Sequence, residues 1–184
     1  MHVAKKGLRA LGIAESFAER ESSTLAGVVM RKDMQIDGVA LTRIAVGGTD
    51  ATEGIERIVE KLHRRDVNIL MLSGGIIAWY NIIDPERIHA NTGLPVIMIT
   101  YEESEGLEED IARHFPGDEG RLDAYRRLGL RHPLALSTGF TIYLRSWGIS
   151  EGTATALCNA FTKDGKMPEP LRVARLIARA VTNL

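Results

Sequence analysis

The most constraining feature of this 184-residue chain is how little separates its first three extended segments. "LRALGIAESF" (8–17), "TLAGVVMR" (24–31) and "MQIDGVALTRIAV" (34–46) are joined only by "AERESS" and "KD". A parallel return needs a crossover of roughly a dozen residues, so breaks this short allow only hairpins and the segments form an antiparallel meander. "GGTDATEGIERIVEKLHRR" (47–65) then changes period, with Ala51, Ile55, Ile58, Val59 and Leu62 on one helical face. Asp50 and Glu53 stand at its start with the spacing of a capping box.

"VNILMLS" (67–73) is a continuous apolar run that suits a strand buried on both faces, and it opens into a Gly-rich loop. "DPERIHANTG" (84–93) carries Asp84, Pro85 at a first helical position and Gly93 at the end, which predicts a short helix. "LPVIMIT" (94–100) is the next buried strand. Helical pieces follow in "GLEEDIARHF" and "GRLDAYRRLG", and "TGFTIYLRSWG" (138–148) suits one more strand or an extended edge segment. "SEGTATALCNAF" and "PEPLRVARLIARAV" close the chain as helices. The order β-β-β-α-β-α-β, then helices, predicts an α/β fold. Its mixed five-stranded sheet combines a three-strand antiparallel meander with βαβ crossovers and is flanked by helices, the succession of the ribonuclease H-like fold. One domain over residues 1–184 is expected from length.

Hydrophobic residues at 45% and charged residues at 26% describe an ordinary globular chain, and a net charge of −1 excludes a protein coated in positive charge. A local basic stripe stays compatible with that balance, as with Arg172, Arg175 and Arg179 on the last helix, where a solvated face is the alternative. The single cysteine, Cys158, excludes an internal disulfide and a multi-thiolate zinc site and suits a small core residue in a reducing compartment. No apolar run approaches the roughly 20 residues of a membrane helix, so no membrane and a cytoplasmic location are expected. The N-terminal basic residues precede only a short apolar patch interrupted by Glu15, which fits a first strand better than a signal peptide. A G-x-x-x-x-G-K-[ST] loop and a G-x-S-x-G turn are both absent.

In the expected fold the first strand lies beside the fourth, so the end of "GIAESF" faces the end of "LMLSGG". Two-metal phosphoryl transfer would need carboxylates there, holding divalent ions about 3.5–4 Å apart. The first strand offers Glu15, the fourth only Ser73, and the intervening helix Asp50 and Glu53. Glu15 and Asp50 are the candidate metal ligands, for Mg²⁺ or Mn²⁺ if the chain is catalytic and for none otherwise. Each has a plainer role: strand-end solvation for Glu15, helix capping for Asp50 and Glu53, a tight strand exit for Ser73, Gly74 and Gly75. The amides of Gly74 and Gly75 could also cradle a phosphate. In "AWYN" (78–81), Trp79 and Tyr80 suit stacking on an unpaired base, anchoring of the loop, or a homo-oligomer contact, with Asn81 reading a base edge. Asp37 beside Gly38 is best explained by a bulge or turn, and His89 by a helix-surface or core role.

"GLRALGIAESF", "LAGVVMR", "DGVALTRIAVGGTDATE", "VNILMLSGGIIAWYNIID", "RIHANTGLPVIMITYEE" and "PEPLRVARLIARAV" together resemble the archaeal endonuclease dU family, which is distantly similar to endonuclease V. The resemblance spans nearly the whole chain and implies a ribonuclease H-like fold. For active members it implies metal-dependent cleavage of DNA carrying deoxyuridine. The family pattern, Gly-Ile-Asp-Asp on the first strand and Leu-Asp-Gly after the fourth, would place aspartates at Ala14, Glu15 and Ser73. Strand side chains alternate between faces, so Glu15 does not substitute for an acid at Ala14 without a bulge. Two functions follow: a nuclease with a depleted carboxylate site, or an inactive nucleic-acid-binding or scaffold protein that keeps the fold.

Overall fold

The computed structural model describes residues 7–17, 21–103 and 106–183. Lys5, Lys6 and the first three residues of the "AERESS" break lie outside them. The meander is present as β1 (Arg9–Ser16), β2 (Ser22–Arg31) and β3 (Ile36–Ala45), paired antiparallel. After α1 (Ala51–Leu62), β4 (Ile69–Ser73) lies parallel to β1, with Ile13 opposite Leu72. The Gly-rich loop folds into a ribbon of β5 (Ile76–Ile77) and β6 (Asn81–Ile82). It leads to α2 (Pro85–Thr92), where the Asp84 side chain accepts from Arg87 N–H and Gly93 closes the helix at φ 69°. β7 (Val96–Thr100) then pairs parallel to β4. The remaining elements are α3 (Glu108–His114), α4 (Glu119–Arg127), β8 (His132–Ala135), β9 (Thr141–Trp147), α5 (Glu151–Phe161) and α6 (Glu169–Thr182).

The main sheet runs β3-β2-β1-β4-β7-β9-β8, so the five expected strands occupy their expected order and two more extend the sheet. β9 corresponds to the 138–148 segment, and β8 pairs antiparallel with it. β8 has only four residues and includes Pro133, which a strand tolerates at a sheet edge, and so it carries little alternation to read. The Asp37 expectation also holds. The β2–β3 register steps from Met30↔Ile36 to Val29↔Gly38 and leaves Asp37 bulged out, where Arg9 Nε and Arg64 Nη2 donate to its carboxylate. Those two guanidinium groups hold the Asp37 carboxyl below its ordinary pKa.

Each face of the sheet packs its own core. Leu11, Ile13, Leu25, Leu70, Leu72 and Met98 face α1, α2 and the ribbon. Ile69, Met71, Ile97, Ile99 and Leu144 face α5, whose Cys158 is fully buried with its thiol pKa pushed up to about 12 by that burial. The α6 side of β1 shows Ala10, Gly12 and Ala14, a row small enough for the helix to lie directly on the strand. Gly12 is decisive: a Cβ there would stand 2.5 Å from the Pro170 carbonyl carbon, which is backbone and has no side-chain freedom with which to give way. Gly12→Ala is expected to lower unfolding free energy by about 2 kcal/mol or more through overpacking. Chemical denaturation checks this, with Gly7→Ala, whose Cβ meets nothing within 4 Å, expected to be neutral.

Candidate functional site

The parallel register brings Ala14 and Ser73 to neighbouring strand ends, on the side of the sheet that carries α5 and α6. No acid stands at either position. Ala14 is 3% exposed and packs with Val28 of β2 and Ala174 of α6. Beside Ser73, the Tyr101 hydroxyl is buried and meets no hydrogen-bond geometry with any partner among the described residues. Burial pushes its pKa up to about 12, against smaller opposing influences from the Ser73 hydroxyl and the Arg175 charge. This corner therefore offers an alanine, two neutral hydroxyls and a nearby guanidinium, which is the wrong electrostatic setting for a divalent cation.

Glu15 projects to the opposite side, as strand alternation requires. Ser23 Oγ donates to its Oε2 at 2.6 Å, and the Ala78 N–H approaches Oε1 at 3.5 Å. Asp50 does not cap α1 with its own side chain. Its Oδ1 accepts from Ala45 N–H at 3.1 Å and from Asn81 Nδ2 at 2.8 Å. The α1 N-terminus is satisfied from another loop: Ala51 N–H donates to Asn81 Oδ1 at 2.9 Å, and Asn81 Nδ2 also donates to Ala45 O at 3.0 Å. The capping-box expectation is corrected accordingly, because Glu53 turns to α2 and accepts from Arg87 at 2.6 Å. Asn81 is fully buried and its amide is occupied at both ends, so it has no edge left for a base. Among the described residues no three His, Cys, Asp or Glu side chains gather where they could share a metal ion. The donor set does not fit a two-metal Mg²⁺ or Mn²⁺ centre.

The stretch 73–81 divides between two places. Gly74 and Gly75 line a cavity of about 380 Å³ between β7, β9 and α4, together with Ser73. Trp79 and Tyr80 sit at the tip of the β5–β6 ribbon, where Tyr80 O accepts from Arg121 near the N-terminus of α4. Ala78, Trp79 and Tyr80 have φ values of 42°, 61° and 59°, three successive left-handed residues with side chains. Each such residue costs on the order of 1–2 kcal/mol, so the tip must be held. Arg121, 8% exposed, holds it. Its Nη1 donates to Gly48 O and Tyr80 O, its Nη2 to Gly47 O and its Nε to Asp118, and its guanidinium lies 3.9 Å above the Phe115 ring. Gly47 N–H donates back to Ala78 O at 2.7 Å. Trp79, 47% exposed, meets Tyr80 and His114 at ring-centroid distances of 5.4 and 4.9 Å.

Arg121, His114 and Phe115 are not singled out by the sequence reading. Asp118 at N-cap spacing, accepting from Arg121 N–H, is the one local signal. His89 is structural: its Nδ1 lies 2.8 Å from Leu94 O and its ring packs on Gly148. Arg172, Arg175 and Arg179 of the α6 stripe are all exposed, and Arg172 is tied to Glu169 at 2.6 Å.

Two substitutions probe these arrangements. Ala14→Asp with Ser73→Asp, which writes the family's acids back, is expected to cost about 3 kcal/mol or more by burying a carboxylate under α6. Burial raises the pKa of the carboxyl introduced at position 14 above its unfolded value, so the ionisation part of the penalty is absent at low pH and grows as pH rises past about 4, while the packing cost of the larger side chain persists at every pH. Denaturation across pH measures it. In a Trp147→Phe background, Arg121→Met is expected to release the tip, seen as increased iodide quenching of Trp79 fluorescence.

The family model described as endonuclease dU matches residues 6–182. A UPF0215 protein of Pyrobaculum calidifontis is 44% identical over 173 residues, covering 93% of this chain and 95% of its own. The crystal structure of a protein of unknown function from Archaeoglobus fulgidus superposes with a TM-score of 0.83 at 28% identity, covering 95% of this chain and 98% of that one. The fold is also that of endonuclease V, a ribonuclease H-like nuclease fold. The Ciona intestinalis enzyme, in complex with inosine-containing DNA, superposes with a TM-score of 0.66 at 14% identity, over 97% of this chain and 87% of that one. By a match that runs from residue 6 to residue 182 and by its archaeal relatives, the chain belongs to the endonuclease dU family.

Proposed function

We infer that this chain binds DNA through the aromatic ribbon tip and does not hydrolyse it through a paired-metal centre. The observation that carries the binding half is the exposed indole of Trp79, held on a left-handed turn by a buried arginine. A fixed aromatic face beside Tyr80 and His114 can stack on an unpaired base at little ordering cost, and stacking is tolerant of sequence. The family description points to deoxyuridine-containing DNA as the first nucleic acid to test. The Ciona structure, which holds inosine-containing DNA, supports a nucleic-acid role for this fold.

The other half rests on chemistry at the strand ends. Glu15 and the Ala14–Ser73 pair lie on opposite sides of the sheet, and Asp50 is held by Asn81 and Ala45 N–H. No helix among the described residues is long and apolar enough to cross a membrane, and the buried free thiol of Cys158 suits a cytoplasmic setting.

Fluorescence anisotropy with a single-stranded deoxyuridine oligonucleotide tests the reading. Trp79→Ala is expected to weaken binding roughly 5- to 100-fold, the loss of one stacked base. Binding should fall with added salt while Mg²⁺ or Mn²⁺ yields no nicked product. Metal-dependent nicking that Glu15→Ala abolishes would sink the non-hydrolytic reading in favour of a nuclease using Glu15.

A further inference from the structure

The cationic stripe of α6 takes no part in the ribbon tip, and we propose that Arg175 and Arg179 bind the phosphate backbone of a nucleic-acid strand at the end of the sheet from which the tip also projects. The proposal rests on the nucleic-acid reading for its ligand; the placement of the two arginines is independent of the tip.

α6 advances along β1 toward the C-terminal end of that strand. Pro170 lies on Gly12, Ala174 packs with Ala14, and Thr182 Oγ1 donates to Ser16 O at 3.0 Å. Arg175 and Arg179 therefore stand where the parallel strands β1 and β4 stop, and the ribbon leaves the same end after Gly74 and Gly75. Arg172, Arg175, Leu176, Arg179 and Ala180 recur at helical spacing and are all exposed, so they form the outer face of the helix. Residues 170–184 contain no Asp or Glu. Glu169 neutralises Arg172 at 2.6 Å, whereas Arg175 and Arg179 meet no carboxylate among the described residues.

The strand ends explain why an anion fits. An acid at position 14 or 73 would pair with a guanidinium beside that corner, and Ala14 and Ser73 supply none. Burial dominates the Tyr101 hydroxyl, with smaller opposing influences from Ser73 and then from the Arg175 charge, which places that charge at the same corner. The helix dipole favours a cation in the last turn and accounts for Arg179, but not for Arg175, about two turns before the helix ends. A guanidinium presents paired N–H donors to phosphate oxygens, and one turn of helix sets these two about 6 Å apart along the axis. Leu176, 53% exposed, shares their face and offers an apolar contact to deoxyribose carbons. With a net charge of −1 the chain has no general attraction for a polyanion, so a local track is what would hold one.

Anisotropy of the single-stranded deoxyuridine oligonucleotide with the full chain, repeated across NaCl concentrations, tests the proposal. Each phosphate contact on a single strand adds roughly 0.7 to the steepness of log affinity against log salt, so the double variant Arg175→Gln, Arg179→Gln should flatten the slope by roughly 1.4. Arg65→Gln removes an exposed charge at the opposite end of β4 and should leave the slope unchanged. Trp79→Ala should weaken binding without moving the slope, which separates stacking from backbone contact. An unchanged slope in the double variant would overturn the proposal and leave the ribbon tip standing. A flattened slope there, with full binding by Trp79→Ala, would support the track and remove the tip. Equal flattening by Arg65→Gln, displacement of the oligonucleotide by polyglutamate at matched charge, or absence of oligonucleotide binding by the unaltered chain would overturn the assignment to a phosphate backbone.

Discussion

The rest of the structure depends on how closely α6 lies against β1. That approach requires a strand face made of Ala10, Gly12 and Ala14, because even one added carbon at Gly12 meets helix backbone. The same strand must send its alternate side chains, Leu11, Ile13 and Glu15, toward α1 and the ribbon. The chemistry available at the strand ends is thus a packing outcome. A helix seated over Ala14 leaves that side apolar, and the remaining acid of β1 falls on the other.

Much of this was legible beforehand. The hairpins followed from connection length, α2 from Asp84, Pro85 and Gly93, and the opposite facing of positions 14 and 15 from strand period, though not which side Glu15 takes. The Asp37 bulge was readable from its glycine neighbour. Less accessible were arrangements made by residues distant in sequence. Asn81 satisfies the N-terminus of a helix that begins 30 positions earlier, so Asp50 looked like the cap when its carboxylate was needed elsewhere. Arg121 is one of several charges in "GRLDAYRRLG", and nothing local reports that three backbone carbonyls from two loops converge on it. Of the two strands beyond the expected five, β9 is the 138–148 segment, whereas β8 is too short and proline-interrupted to be read from its sequence.

Local strain and long-range support occur together at the ribbon. Three consecutive side-chain-bearing residues in a glycine-favouring conformation are unfavourable in isolation, and a buried cation with its terminal nitrogens committed to carbonyls offsets that cost. Glycine would make the turn more cheaply. The presence of an indole and a phenol there points to a surface shaped for contact, while Gly74 and Gly75, only a few residues away, belong to a different concavity.

The bulge at Asp37 bears on how copies of the chain meet. β3 is an outer strand with Ile36 and Val39 exposed, the profile of a template on which another chain's strand could add. The backbone bulge at Asp37, whose carboxylate is clamped by Arg9 and Arg64, breaks the regularity of that template at its N-terminal end, and Pro133 removes an amide donor from the outer strand at the far side. Both margins of the sheet are thereby blunted against lateral growth.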